Sequence, residues 1–293
     1  MIRVLGTLFA GLLGLAFGSF LNVCLSRWPE GESIVHPRSH CMSCGRTLAW
    51  WENVPLVSWM ALRGRCRTCG APISWRYPLV ELAVAATWSF IAWRFLAWAM
   101  DLPGTAFSFE FGRTVGRMIF CWLLIALAAF DAEDLWLPDR LTLPGIAIGF
   151  LYSLIPLPLG STFALVSFGS NVHVRAAIAS LVSILAAAGL ILLIRWIYWL
   201  VRRREGVGLG DAKLMAMLAA WLGLQGALLS FGLGVVLGAI TALVLLVLPS
   251  TRDKNQSWAQ IKLPLGAFLC VGGIVSSLWG EQMIHAYLRW AGF

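Results

Sequence analysis

Charged residues are scarce in this sequence. Asp, Glu, Lys and Arg make up only 12% of the 293 residues, and hydrophobic residues make up 59%. Soluble domains carry about 25% charged residues, so the shortage excludes an ordinary soluble protein. It places most of the chain in a lipid bilayer, where spans of roughly 20 apolar residues form helices. The fold class predicted is an all-α polytopic membrane protein.

Several common catalytic patterns are also missing. The sequence has no Gly-x-Ser-x-Gly elbow, no His-Glu-x-x-His, no P-loop and no dinucleotide-binding fingerprint. Its four histidines are scattered along the chain, at His36, His40, His173 and His285. The net charge of +8 comes from basic residues in short segments between apolar runs. That distribution is typical of membrane topology, and no nucleic-acid partner is predicted.

The apolar runs predict about eight transmembrane helices. The run at residues 214–251 carries no charge and is too long for one helix, so we divide it near Gly223–Gly226. The predicted spans are residues 4–25, 79–100, a third ending at Phe130, a fourth beginning near Leu141, 176–201, two within 214–251, and 263–280. We assign residues 1–25 to the first helix, 26–78 to a cysteine-bearing loop and 79–293 to the remaining helices.

Orientation follows from the basic residues of three loops. The loop after the first span contains seven arginines, and Arg202–Arg204 follow the fifth span. The loop after the seventh span contains Arg252, Lys254 and Lys262. With eight spans all three loops lie on the same side, which the positive-inside rule predicts to be the cytosol.

Four of the seven cysteines have metal-ligand spacing, in Cys41-Met-Ser-Cys44 and Cys66-Arg-Thr-Cys69. Two residues between ligands allow a tight turn to direct both sulfurs at one ion, and a glycine follows each pair. Four protein ligands leave no open position, so the spacing predicts a structural zinc rather than a catalytic one. Two disulfides are the alternative, and they require an oxidising compartment.

Two of the six aspartates adjoin apolar runs. Asp131 follows the third predicted span, and Asp211 precedes the sixth, within Gly208-Leu-Gly210-Asp211. Ionisable groups at membrane depth are costly and suggest a functional site. Two facing carboxylates that share one proton can act as an aspartyl-protease pair. Gly208 and Gly210 would form an active-site loop that a peptide backbone can approach. The structural alternatives are a helix N-cap for Asp211 and a solvated loop for Asp131.

Further motifs occur in a fixed order along the chain. They are Gly18-Ser-Phe-Leu-Asn22, Arg27-Trp-Pro, the cysteine pairs with Glu52-Asn-Val-Pro between them, Arg76-Tyr-Pro-Leu-Val-Glu81, Leu137-Pro-Asp-Arg-Leu-Thr-Leu-Pro144 and Glu205-Gly-Val-Gly-Leu-Gly-Asp211-Ala-Lys213. With these motifs the sequence resembles the bacterial type IV prepilin peptidases, also called prepilin leader peptidase/N-methyltransferases. The resemblance covers nearly the whole chain.

This resemblance implies two activities at the bacterial inner membrane. The enzyme would cleave the basic leader of prepilins and pseudopilins after a glycine, on the cytosolic side. It would then methylate the new N-terminal residue, usually Phe, with S-adenosylmethionine, in type IV pilus biogenesis or type II secretion. The partners implied are these substrates and membrane lipid. The four-cysteine loop would be linked to methyl transfer, and no residue is assigned to the S-adenosylmethionine site.

The resemblance also implies the catalytic residues. The first catalytic aspartate of the family lies eight residues before the Asp of Leu-Pro-Asp, which is Asp131 here, and the second is Asp211. Glu133 stands where many members carry Asp, and the stretch at residues 157–172 is longer than expected. Glu81, Glu133 or Asp134 would attract the basic leader. The alternatives are a proton-coupled transporter, with the aspartates as relay groups, and a noncatalytic scaffold with a zinc ribbon.

Overall fold

A computed structural model describes residues 1–155, 171–203, 208–247 and 263–292. Within these ranges the chain is helical and contains no strand, apart from two isolated bridges beside the cysteines. This architecture confirms the predicted all-α class. The chain divides into two compact units, Met1–Ala126 and Leu127–Phe293.

The first unit is organised around two long helices, α1 (Ile2–Arg27) and α3 (Arg76–Leu96), which pack against each other. Small residues let their backbones approach closely, as in many membrane helix pairs. A Cβ atom at Gly18 would lie 2.6 Å from the Cα of Glu81. The loop between them contains the short helix α2 (Val57–Ala61) and a 3₁₀ turn (Trp50–Asn53), and a second 3₁₀ turn (Ala99–Asp101) follows α3.

Helix α4 (Gly104–Asp134) begins in the first unit and ends in the second. The second unit continues with α5 (Asp139–Ser153), α6 (Val172–Arg202), α7 (Leu209–Val247) and α8 (Leu265–Trp290). Helix α7 packs against α5, α6 and α8. Its first half contributes much of the core, including fully buried Leu214, Met215, Met217 and Leu218.

Six helices of the described residues are long and apolar enough to cross a bilayer, namely α1, α3, α4, α6, α7 and α8. Helix α5 has only 15 residues in the structure. Helix α7 is interrupted at Gly223, whose φ of 69° lies in the left-handed region, within the four residues where the sequence predicted a break. The count of eight spans stays a prediction, and most of the stretch at 157–172 lies outside the described residues.

Many of these helices present apolar side chains outward. On α6 the exposed residues include Leu185, Leu193, Trp196 and Val201. A soluble protein rarely exposes large contiguous apolar patches, whereas lipid-facing helices do so over their whole length. The structure therefore agrees with a multi-pass membrane protein.

Candidate active site and metal centre

The four predicted metal ligands meet in the first unit. The Sγ atoms of Cys41, Cys44, Cys66 and Cys69 all lie within 4.8 Å of one another, and those of Cys41 and Cys69 are 3.8 Å apart. A tetrahedral site with Zn–S bonds of about 2.3 Å places its sulfurs about 3.8 Å apart. All four are free thiols rather than two disulfides. The donor set and its geometry therefore fit one tetrahedral metal ion.

Each cysteine pair forms the same turn. The Gly45 N–H donates to the Cys41 carbonyl at 2.8 Å, and the Gly70 N–H donates to the Cys66 carbonyl at 3.0 Å. Both glycines have φ near 70°, the left-handed region that favours glycine. The turns direct backbone N–H groups at sulfur: those of Cys69 and Thr68 lower the pKa of the Cys66 thiol to about 6, and those of Cys44 and Ser43 lower the pKa of Cys41. The thiolate form that binds metal is therefore favoured at Cys66 and Cys41. At Cys69 the Ala71 N–H lowers the pKa, but the neighbouring cysteine sulfurs and burial outweigh it and raise the pKa to about 11, so metal binding there must displace the thiol proton.

The buried carboxylate of Glu52 stabilises this loop. Glu52 accepts from the Arg46 guanidinium at 2.7 Å and from the Ala49 N–H at 2.7 Å. These two donors hold the pKa of Glu52 below its usual range. Because Arg46 lies two residues after Cys44, the ion pair fixes the segment between the two cysteine turns.

The second cluster gathers residues from three distant parts of the second unit. Asp131 lies in the last turn of α4 and is only 6% exposed. Its Oδ2 accepts from the Ala267 N–H at 2.7 Å, and the backbone of Gly266 lies next to the same carboxylate. Both residues lie in the first turn of α8, where N–H groups have no partner within the helix. The positive end of the helix dipole adds to the interaction.

Asp211 lies in the first turn of α7 and is half-buried. Its Oδ2 accepts from the Gly208 N–H at 3.2 Å, which is the back-bond of a capping box. Asp211 is therefore not the N-cap residue that the alternative proposed, although its side chain caps the helix from within the first turn. That hydrogen bond does not exclude a chemical role. The carboxylate of Asp211 also interacts electrostatically with that of Asp131, 80 residues earlier in the chain.

Leu137 lies between the start of α7 and the start of α8. A Cβ at Gly210 would lie 3.2 Å from Leu137 Cδ1, and a Cβ at Gly266 would lie 3.1 Å from the same atom. The Gly266 position also leaves no room toward the Asp131 carboxylate, since a Cβ there would lie 2.9 Å from Asp131 Oδ2. Glycine at both positions lets the first turns of α7 and α8 pack closely against this side chain.

The start of α8 is the part of the site that sequence reasoning missed. Gly266 and Ala267 were assigned to the eighth span without any role. The only signal is Pro264-Leu-Gly266, a helix start that follows a polar loop. Asp139 pairs with Lys213 Nζ at 2.6 Å and so links the start of α5 to the beginning of α7. Glu205, Gly206 and Val207 lie outside the described residues.

These features define a class: an all-helical, multi-pass membrane protein with a four-thiolate cluster in one unit and a pair of interacting aspartates in the other. Residues 12–95 match the bacterial peptidase A24 N-terminal domain, and residues 118–243 match the type IV leader peptidase family. With the relatives described next, these matches show that the chain belongs to the type IV leader peptidase family.

Curated relatives match over nearly the full length. A prepilin leader peptidase/N-methyltransferase of Pseudomonas aeruginosa is 34% identical over 96% of this chain and 93% of its own. Proteins of the same name from Stutzerimonas stutzeri and Aeromonas hydrophila are 34% and 35% identical, over 97% and 94% of this chain and 94% and 92% of their own. No solved structure matches the chain.

Proposed function

We propose that this protein is a bifunctional enzyme that removes the leader of prepilins and pseudopilins and then methylates the new N-terminus. The observation that carries the first activity is that Asp131 and Asp211 lie near one side chain: Gly210, which precedes Asp211, and Gly266, which lies against Asp131, both approach Leu137. The two carboxylates also interact electrostatically. Relatives named for both activities match nearly the whole chain. The proposal of two activities rests on the names of those relatives and on the motifs that this sequence shares with the family.

Within the pair we assign Asp131 as the general base. The short hydrogen bond from the Ala267 N–H, at the start of α8, stabilises the ionised carboxylate of Asp131 more than the longer bond from Gly208 stabilises that of Asp211. Asp211 has one longer hydrogen bond and holds the shared proton. Asp131 removes a proton from a water molecule as its oxygen attacks the scissile carbonyl, and Asp211 donates its proton to the carbonyl oxygen. Collapse of the tetrahedral intermediate expels the amine, which becomes the new N-terminus.

The cysteine loop and the active site face the cytosol in this proposal. The basic residues of three loops support that orientation for a bacterial inner-membrane protein. A substrate with an apolar helix in the bilayer and a basic leader in the cytosol presents its scissile bond at that interface. Glu133 and Asp134 are exposed near the end of α4 and can attract the leader, whereas Glu81 is only 6% exposed and is not a surface charge.

Zinc is the metal that we propose for the cysteine cluster. Four thiolates in tetrahedral spacing suit zinc, and the closed ligand set assigns it a structural role. The metal would hold residues 26–78, the segment that we link to methyl transfer, while residues 79–293 form the peptidase. S-adenosylmethionine supplies the methyl group as an activated sulfonium. Processed pilins would serve type IV pili or type II secretion.

The test is prepilin processing by the purified enzyme in detergent, with Asp131→Asn and Asp211→Asn compared to wild type. Each change removes a proton-transfer group without altering shape, so we expect cleavage to fall by about 10²- to 10⁴-fold. Asp101→Asn is the matched control, since Asp101 lies in the turn after α3. Full processing by either active-site variant would refute the aspartyl mechanism and favour a transporter or a scaffold.

A further inference from the structure

The aspartate pair accounts for cleavage, and the mechanism assigns it no part in methylation. The first unit contains a second buried carboxylate, that of Glu81, the sixth residue of α3, which is only 6% exposed. Placing a carboxylate among apolar helices is costly unless donors or a cation offset the charge. Glu81 is therefore a candidate for a function that the aspartate pair leaves unexplained.

Polar backbone and side-chain groups surround the Glu81 carboxylate. Its Oε2 accepts from the Leu56 N–H at 2.7 Å, and the Ser19 hydroxyl is a further polar neighbour of the carboxylate. Leu56 has φ 58° and ψ −50°, a strained conformation for a leucine, and it directs its N–H into this cluster. Such strain accumulates at functional sites, where surrounding contacts enforce it.

Asn22 leaves an acceptor unused in the same region. It is 1% exposed, and its Nδ2 donates to the Tyr77 carbonyl at 2.9 Å, which fixes the amide orientation. Its Oδ1 has no hydrogen-bond partner among the described residues. An unpaired buried acceptor is destabilising and rare in folded proteins. Asn22 lies one turn beyond Ser19 on α1, and Tyr77 lies one turn before Glu81 on α3, so the amide and the carboxylate share the α1–α3 contact.

The cluster thus combines one negative charge with one unsatisfied oxygen. An ammonium group supplies a positive charge and several N–H donors, so it complements both. We propose that Glu81 and Asn22 bind the α-amino group of the cleaved pilin and that Glu81 accepts its proton before methyl transfer. This inference rests on the proposed methyltransferase activity and adds a residue assignment that the motifs alone do not provide.

Proton transfer to Glu81 precedes methyl transfer in the proposed step. The α-ammonium transfers one proton to the Glu81 carboxylate and becomes a neutral amine. The nitrogen lone pair then attacks the methyl carbon of the sulfonium donor, and the electrons of the carbon–sulfur bond remain on sulfur. The products are a secondary ammonium, a neutral thioether and a protonated Glu81, which returns its proton to solvent. The protein thereby supplies a base and an orientation, and the donor supplies the methyl group.

The first experiment measures binding without any methyl donor. A fluorescent peptide that carries the N-terminal sequence of a cleaved pilin is prepared with a free α-amine and with an acetylated one. Wild-type enzyme in detergent should bind the free-amine peptide at least about 10-fold more tightly, because the charged pair contributes about 1.5–3 kcal/mol. Glu81→Gln should abolish this preference and leave the affinity for the acetylated peptide unchanged. Equal preference in wild type and Glu81→Gln would overturn the inference.

The second experiment measures methyl transfer to the same free-amine peptide. At pH 6.5 we expect Glu81→Gln to lose about 10²- to 10⁴-fold in rate. The loss should shrink as the pH rises toward 8, because the α-amine loses its proton unaided near a pKa of about 7.7–8.0. Glu81→Asp keeps the base and should retain the wild-type pH profile with a raised KM for the peptide alone. A raised KM for the sulfonium donor instead would refute the assignment.

The control is Glu110→Gln, in the same unit, whose carboxylate pairs with Arg113 at 3.1 Å. It should leave binding and methyl transfer within about threefold of wild type, because this partly exposed ion pair joins neighbouring turns of α4, whereas Glu81 and Asn22 lie on α3 and α1. Wild-type enzyme that cleaves the leader but transfers no methyl group would refute the proposed second activity and, with it, this inference. If Glu81→Gln fails to fold, Glu81→Asp decides: an unchanged KM for the peptide would overturn the inference.

Discussion

The four-cysteine cluster and the aspartate pair are assembled in different ways. All four thiolates come from residues 41–69, in two turns with the same hydrogen bonds and the same left-handed glycine. The aspartate site combines the end of α4, the start of α7 and the start of α8, and its partners are up to 136 residues apart. A local site is specified by spacing, whereas a dispersed site depends on how helices pack. Substitutions at the two sites should therefore have different consequences: loss of metal at the cysteine cluster, and loss of leader cleavage at the aspartate pair.

The largest effect is expected from the cysteines. Cys41→Ser removes one of four ligands, and structural zinc contributes about 10–16 kcal/mol of apparent binding energy. We expect the purified variant to contain less than one metal ion per chain, as measured by elemental analysis. Protease cleavage within residues 26–78 should become rapid. Leader cleavage by the aspartates should stay within about threefold of wild type, since an exposed local loop opens without global unfolding.

Cys24→Ser is the matched control for that variant, because Cys24 is a buried thiol of α1 outside the cluster. It should keep its metal. Loss of leader cleavage in Cys41→Ser together with loss of metal would show that the local site also supports the dispersed one, and the contrast between the two would not hold.

Gly266→Ala tests the dispersed site. The added methyl group would lie 2.9 Å from Asp131 Oδ2 and 3.0 Å from its Cγ, so the carboxylate or the start of α8 must move. Since small misplacements of catalytic groups are costly, we expect kcat for leader cleavage to fall by about 10- to 100-fold. Metal content should not change. Gly232→Ala on α7 is the control, because a Cβ there meets nothing within 4 Å, and wild-type cleavage by Gly266→Ala would contradict the geometry.

Gly70→Ala is a smaller change at the cysteine cluster, because it alters one turn and removes no metal ligand. At φ 70° a side chain costs roughly 1–2 kcal/mol, although the space around Gly70 is open. We expect metal affinity to fall by about 5- to 30-fold, measured by competition with a chelator, and leader cleavage to be unaffected. Gly104→Ala adds the same methyl group in open space at a position without positive φ, and it should leave the affinity unchanged. Equal affinities for both variants would show that backbone strain does not limit the turn.

The sequence predicts the local site more completely than the dispersed one. Spacing alone identifies Cys41, Cys44, Cys66 and Cys69, because each turn is fixed by its own residues. The helical class and the break at Gly223 also follow from composition and from the length of the apolar run. Spacing does not reveal that Ala267 donates to Asp131, or that Leu56 donates to Glu81, since such contacts arise only when distant segments pack. Helix α8 continues ten residues beyond the predicted end, to Trp290, because a helix can extend past the apolar run by which a span is recognised.

The smallest effect is expected at the pair of Asp139 and Lys213, which links two segments of the dispersed site. Both side chains are substantially exposed, so the 2.6 Å contact should contribute no more than about 1 kcal/mol. Lys213→Met should lower leader cleavage by less than about fivefold. The exchange Asp139→Lys with Lys213→Asp should recover part of that loss if the pair positions Asp211, which lies two residues before Lys213. A loss as large as that of Asp211→Asn, without recovery in the exchange, would instead place the Lys213 ammonium in direct contact with the reacting groups.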